Sequence, residues 1–328
     1  MKVKLKQFRV AAGMTQAKVA SAVGVTQPTY HRWEVGAAPI PETKLKKLAK
    51  VLKTTPDSLL GRHAPIRASF YDDSVPDNLS YYGEVAIHFA GGGESLLLTI
   101  SEDACNRLHQ DLQDDSPFVT VESMANQTVV IRVRAVSDVY FSSEAYDDYG
   151  PEHGRYSNHV DVQIPDSRDW EIIESLACDG DLGEFEPADV ERVSKMVMIT
   201  DEQYQKLVAD GAIKPDELER ERAKNQAETD RIFEAAQYTV YQLSTGQRRR
   251  AYVDRPESLF DAFYELIDYN GSTSSSEDMI RIEAVGSHRI IFINKHALDY
   301  VSIPTHQLNE GRTERDAEAL DSPGGQDV

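Results

Sequence analysis

Thr15-Gln16-Ala17-Lys18-Val19-Ala20-Ser21-Ala22-Val23-Gly24-Val25-Thr26-Gln27-Pro28-Thr29-Tyr30-His31-Arg32-Trp33-Glu34 reads as two short helices on either side of one glycine. Thr15 can cap the first, because its hydroxyl accepts an amide that the first turn leaves free. Val19, Ala20 and Val23 give that helix one apolar face, and Gly24 ends it as a residue able to take positive φ. Thr26 caps the second helix, Gln27 to Glu34. Pro28 falls in its first turn, where no intrahelical hydrogen bond is lost, and Tyr30 and Trp33 point inward. Working outward, Leu5, Phe8 and Ala12 lie on one helical face that ends at Gly13. Downstream, Gly36, Pro39 and Pro41 mark a loop, and Leu45, Leu48, Val51 and Leu52 form another amphipathic helix. Thr55-Pro56-Asp57 then reads as cap, first-position proline and first-turn acid of a short helix ending at Gly61. The expectation is an all-α domain of five helices at residues 1–62.

Thr15-Gln16-Ala17-Lys18-Val19-Ala20, Val23-Gly24-Val25-Thr26-Gln27, Arg32-Trp33-Glu34-Val35-Gly36, Leu48-Ala49 and Leu59-Leu60-Gly61, in that order, resemble the phage-repressor/Cro (XRE) helix-turn-helix family. The resemblance spans about 60 residues. It implies that the third helix enters the major groove of double-stranded DNA while the second lies across the backbone. By matched position it places Gln27, Pro28 and Arg32 at base edges, and Arg9 and Gln16 at phosphates. The side chains suit those places. A glutamine amide matches the N6/N7 edge of adenine, and an arginine fork matches O6/N7 of guanine. Proline offers only an apolar contact, such as a thymine methyl. Two features depart from the family. Lys18 stands where an acid would complete a capping box, and Ala37-Ala38 replace basic residues beyond the third helix. Lys44, with Lys46 and Lys47, is expected to supply phosphate contacts in their place.

The charge distribution agrees. Residues 1–62 hold twelve Lys and Arg against Glu34, Glu42 and Asp57, so this segment carries +9 and the remainder −29 of the total of −20. A basic module on an acidic body is the asymmetry expected when one end meets a polyanion. No apolar run approaches the ~18 residues that a membrane helix needs, and no apolar core follows Met1–Lys6 to make a signal peptide. The expected location is therefore cytoplasmic. Cys105 and Cys178, the two cysteines, read as reduced, buried thiols. There is no phosphate loop, dinucleotide fingerprint, H-E-x-x-H or nucleophile elbow, and no Ser/Lys protease motif. His153, His159 and Asp161 lack a further ligand, so they read as polar surface and not as a metal site. No enzyme, metal or cofactor is expected.

The body contains a repeat. Phe118-Val119-Thr120-Val121-Glu122 aligns with Met279-Ile280-Arg281-Ile282-Glu283 at an offset of 161. The same offset pairs Val129-Val130-Ile131 with Ile290-Ile291-Phe292, and Asp138 with Asp299. Upstream the offset is 155, pairing Gly91 with Gly246 and Leu108 with Phe263. The difference is placed in the Gly271–Ser276 loop. The Gly91-Gly92-Gly93 run reads as a hairpin turn. The expected order is a helix-turn-helix domain at 1–62, a linker at 63–78, an α+β unit at 79–163, a helix-rich connector at 164–236, a similar α+β unit at 237–308, and a disordered acidic tail at 309–328. The fold class is thus multidomain, an all-α N-terminal domain on an α+β body with two similar β-rich units. The function expected is a sequence-specific transcriptional regulator, a repressor sooner than an activator, paired as a homodimer through its body. The alternative is an antitoxin or phage-immunity protein whose body binds a partner protein, with DNA binding serving recruitment or autoregulation.

Overall fold

A computed structural model describes residues 3–70, 72, 74–143, 156, 159–267, 278–286 and 289–322. The N-terminal helices are α1 (Leu5–Ala11), α2 (Gln16–Val23), α3 (Gln27–Glu34), α4 (Glu42–Val51) and α5 (Pro56–Leu59). Thr15, Thr26 and Thr55 each accept the amide three residues on, from Lys18, Thr29 and Ser58. Gly24 closes α2 at φ +71°, a conformation that costs a glycine nothing. Leu5, Val19, Val23, Tyr30, Trp33, Leu48 and Leu59 meet in one core.

The body holds two series of elements. The first is β2 (Ser80–Phe89), β3 (Leu96–Ser101), α6 (Glu102–Asp111), β4 (Phe118–Glu122), β5 (Gln127–Arg132), a 3-10 turn at Val133–Ala135 and β6 (Val136–Ser142). The second is β7 (Tyr238–Leu243), β8 (Arg248–Tyr252), α11 (Pro256–Ile267), β9 (Met279–Glu283), β10 (Ile290–Asn294), a 3-10 turn at Lys295–Ala297 and β11 (Leu298–Pro304). A short strand, β1 (Ser69–Phe70), adds in parallel to the start of β2. In the first sheet β2 pairs with β1, β3 and β6. A five-stranded sheet runs β4-β5-β11-β7-β8, and β9 pairs with β10. The apolar faces of β2–β6 and α6 enclose one core, and those of β7, β9–β11 and α11 a second.

Between the series lie α7 (Ser167–Ala177), α8 (Pro187–Val197), α9 (Asp201–Ala209) and α10 (Leu218–Gln237). Residues of α7, α8 and α10 share a core around Trp170, whose indole N–H donates to the Ile164 carbonyl at 2.7 Å.

Three expectations need correction. The segment from 309, expected to be a disordered tail, is the main part of α12 (Thr305–Asp321). It orders because Leu308 and Ala317 are buried and Gly311 crosses α11 so closely that a Cβ would meet the Pro256 carbonyl oxygen at 2.0 Å. Asn126, His306, Gln307 and Glu174 form a hydrogen-bonded cluster that ties its first turn to α7 and to the β4–β5 turn. Second, Cys178 is exposed, since it sits one residue beyond α7; Cys105 is buried.

Third, the alignment at 161 slips by one residue in the β9–β10 hairpin. Across β4·β5, Val119 faces Ile131 and Val121 faces Val129; across β9·β10, Ile280 faces Ile293 and Ile282 faces Ile291. The counterpart of Val129-Val130-Ile131 is therefore Ile291-Phe292-Ile293. The turn joining β9 to β10 is one residue longer, and a one-residue slip exchanges the two faces of a strand. The same shift carries through the next strand, where Val139 and Phe141 pack on the first core as Val301 and Ile303 pack on the second. Asp138 thus lies level with Tyr300, not with Asp299. Gly271–Ser276, His153 and residues 323–328 lie outside the described residues.

Candidate nucleic-acid interface

The outward face of α3 carries Gln27, Pro28, His31 and Arg32, all exposed. Its inward face carries Tyr30, Trp33 and Glu34, all buried. This alternation follows from the 3.6-residue period, and the inner face anchors the outer. The three residues expected at base edges share one accessible surface, and two of them, Gln27 and Arg32, carry hydrogen-bonding side chains.

Arg9 is not on that surface. It is 1% exposed. Its Nε donates to Glu34 Oε1 at 2.7 Å, and one terminal nitrogen donates to the Met14 carbonyl at 3.0 Å. Glu34 also accepts from the Tyr30 hydroxyl at 3.2 Å and from the Gln16 side-chain amide. Burial alone would lower the Arg9 pKa, but the hydrogen bond and charge of Glu34, with the charge of Asp321, raise it above its ordinary value. Burial and the Glu34 carboxylate together push the Tyr30 hydroxyl upward. Arg9, expected at a phosphate, is instead the buried cation that lets Glu34 join α1, α2 and α3. The expectation for Arg9 came from matched position in the family resemblance, and nothing local in the sequence pairs Arg9 with Glu34, 25 residues away.

Gln16 begins α2, where free amides and the positive end of the helix dipole favour an anion. An anion is present. Asp321, the last residue of α12, accepts the Gln16 backbone N–H at 2.9 Å with Oδ1, and its Oδ2 lies 3.1 Å from Arg9 Nη2. Lys44 reaches the other end of α2 and donates to the carbonyls of Val23 at 2.9 Å and Gly24 at 3.0 Å. An ammonium has three donors, so one remains for a phosphate. Neither Asp321 nor Glu34 is marked by the sequence. Asp321 lay in the stretch read as disordered, and Glu34 entered only as part of the family-like stretch Arg32–Gly36 and as a negative charge, with no partner assigned.

The basic residues of the module divide between two faces. Lys4 pairs with Glu171 on α7, Lys6 with Glu314 on α12 at 2.5 Å, and Arg62 with Glu186 at 2.8 Å. Arg168 on α7 donates to the carbonyls of Gly61 at 2.9 Å and His63 at 3.0 Å. The α1 side of the module thus rests on an acidic wall of the body. Lys18, Arg32, Lys46, Lys47, Lys50 and Lys53 are exposed. Part of the charge asymmetry read from sequence is consumed inside the molecule, and the rest lies on α2, α3, α4 and the turn after α4.

Residues 5–59 match the family model described as Helix-turn-helix. That segment is an XRE-type helix-turn-helix. The match covers about one-sixth of the chain, and no curated protein or solved structure matches the chain. Within residues 5–59 the chain thus carries the DNA-binding helix-turn-helix found in XRE-type regulators. Among the described residues, no helix is long and apolar enough to cross a membrane.

Proposed function

We propose that this protein is a sequence-specific transcriptional repressor, without catalytic activity, whose α3 reads base edges through Gln27, Pro28 and Arg32. The observation that carries this reading is the exposed polar face of α3 set on a buried Tyr30–Trp33–Glu34 anchor, with exposed lysines on the flanking helices. The side chains on so short a helix cover only a few base pairs, so the body's part is to pair two modules on a palindromic site. Half-sites would then lie one helical turn apart, ~34–36 Å or a multiple of it. Pull-down of genomic DNA with the intact protein tests this. Discrete palindromic sites, one of them upstream of its own gene, are the expected result; an absence of discrete sites contradicts it.

In the free protein, Asp321 occupies the anion position at the start of α2, where the family resemblance puts a DNA phosphate. A bound duplex must displace it. Asp321→Ala is therefore expected to tighten binding to operator and to random DNA alike, by roughly 2- to 10-fold, the range of a charge at a helix terminus. Fluorescence anisotropy at low and physiological salt measures this. Unchanged affinity on both DNAs would show that Asp321 does not compete with phosphate.

A further inference from the structure

The strands of the body form one continuous path. The order β6-β2-β3 passes to β4 through the Ile100–Ser123 bridge and the hydrogen bond from Met124 N to Thr99 O at 2.8 Å. It continues as β4-β5-β11-β7-β8 and reaches the β9–β10 hairpin through Val285 N to Tyr252 O at 2.9 Å. The two ends of this path are β6 and β10. Among the described residues, β6 pairs only with β2 and β10 only with β9.

The two series occupy this path with matching partners. The last strand of each lies on the first, β6 on β2 and β11 on β7, and the first lies on the second. Smaller bonds recur too. Ala90 N donates to Ala135 O at 2.9 Å, as Ser244 N does to Ala297 O at 2.8 Å; Gly92 N donates to Phe89 O at 3.2 Å, as Gly246 N does to Leu243 O at 2.8 Å. The glycine level with Gly246 is thus Gly92, not Gly91, and both have positive φ.

Among the described residues, one pair of strands joins the series as neighbours in a ladder, β5 on β11. There Val130 lies opposite Val301 and Thr128 opposite Ile303, and all four are fully buried. Their counterparts are Phe292 and Ile290 on β10, and Val139 and Phe141 on β6. Phe292 is 58% exposed and Ile290 49%, and beside the β6 pair Tyr140 is 47% exposed. Among the described residues, the strand that covers these positions at the internal junction has no counterpart at either end of the path, where Phe292 and Ile290 are largely exposed and Val139 and Phe141 half-buried. Unpaired apolar edges of this kind are sites of strand addition.

We propose that β10 of one chain pairs, antiparallel, with β6 of a second copy, in the register that β5 takes on β11. Phe292 then lies opposite Val139 and Ile290 opposite Phe141. One chain carries both halves of the junction at opposite ends, so two copies joined at both ends make a closed two-fold pair. The net charge of −20 opposes this association over long range, so added salt strengthens it. The proposal specifies the assembly half of the proposed function and does not depend on the DNA-binding half.

Sedimentation of the intact protein without DNA tests it. The expected result is a reversible assembly of two or more chains, more stable at higher salt. Phe292→Arg should weaken that assembly about 100-fold, the scale set by a central aromatic anchor, with unchanged circular dichroism because the side chain is exposed. On a Cys178→Ser background, Val139→Cys combined with Phe292→Cys should give a reducible interchain crosslink, while Tyr140→Cys combined with Phe292→Cys should not. A monomer at tens of micromolar, an assembly indifferent to Phe292→Arg, or equal crosslinking in both pairs overturns the proposal. Loss of DNA specificity with the assembly intact would instead count against the reading of α3.

Discussion

Glu34→Ala is expected to unfold the helix-turn-helix while leaving the body folded. The Glu34 side chain is fully buried against Arg9, itself 1% exposed. Removing one member of a buried ion pair leaves the other charged and without its partner, at a cost of about 3–5 kcal/mol. Here the Tyr30 hydroxyl and the Gln16 amide lose their acceptor as well. A module of this size has roughly 3–9 kcal/mol in all. The two tryptophans report separately, because Trp33 belongs to the module and Trp170 to the body. Trp33 emission should shift to the red and α3 amides should exchange quickly, with Trp170 unaffected. Combining Arg9→Met with Glu34→Leu should recover part of the loss, since apolar groups of similar volume replace a buried pair at little cost. Native exchange rates in Glu34→Ala would show that the pair does not hold the module together.

Trp170→Ala is the converse. Its ring is 1% exposed at the centre of the connector core, and its N–H serves the Ile164 carbonyl. Truncating a buried aromatic costs about 3–5 kcal/mol, and the orphaned carbonyl adds to that. The helix it stabilises, α7, also carries Arg168 and Glu171, which hold the module to the body. Trypsin should cut faster at Arg62 and Arg67, while Trp33 stays buried. Unchanged cleavage would mean that α7 does not set the attachment.

The helices α2 and α3 were legible to the residue because their signals are local. Thr15, Thr26, Gly24 and Pro28 act on amides within one turn, and Tyr30 and Trp33 follow from helical period. The exposure of Gln27, Pro28 and Arg32 came with them. What sequence missed depends on distant partners. The acidic segment from 309 looked unfoldable, yet α12 is ordered by α11 and ends where Asp321 meets Gln16. Matched position put Arg9 at a phosphate, because Glu34 reaches it only through the fold. The β10 alignment failed by one residue because letters cannot measure a hairpin turn, and that residue decides whether Phe292 faces the core or the edge.

Binding of intact wild-type and Arg32→Ala protein to an operator duplex and to a scrambled one, each at two salt concentrations, tests the central claim most directly. If Arg32 forks onto a base, the variant loses ~1–3 kcal/mol on the operator, keeps its affinity for scrambled DNA to within a few-fold, and relaxes the preference at one base pair. The salt dependence should change little, since base contacts release few counterions. Equal weakening on both duplexes, with a flatter salt slope, would make Arg32 a phosphate contact and contradict the reading of α3 as the helix that selects sequence.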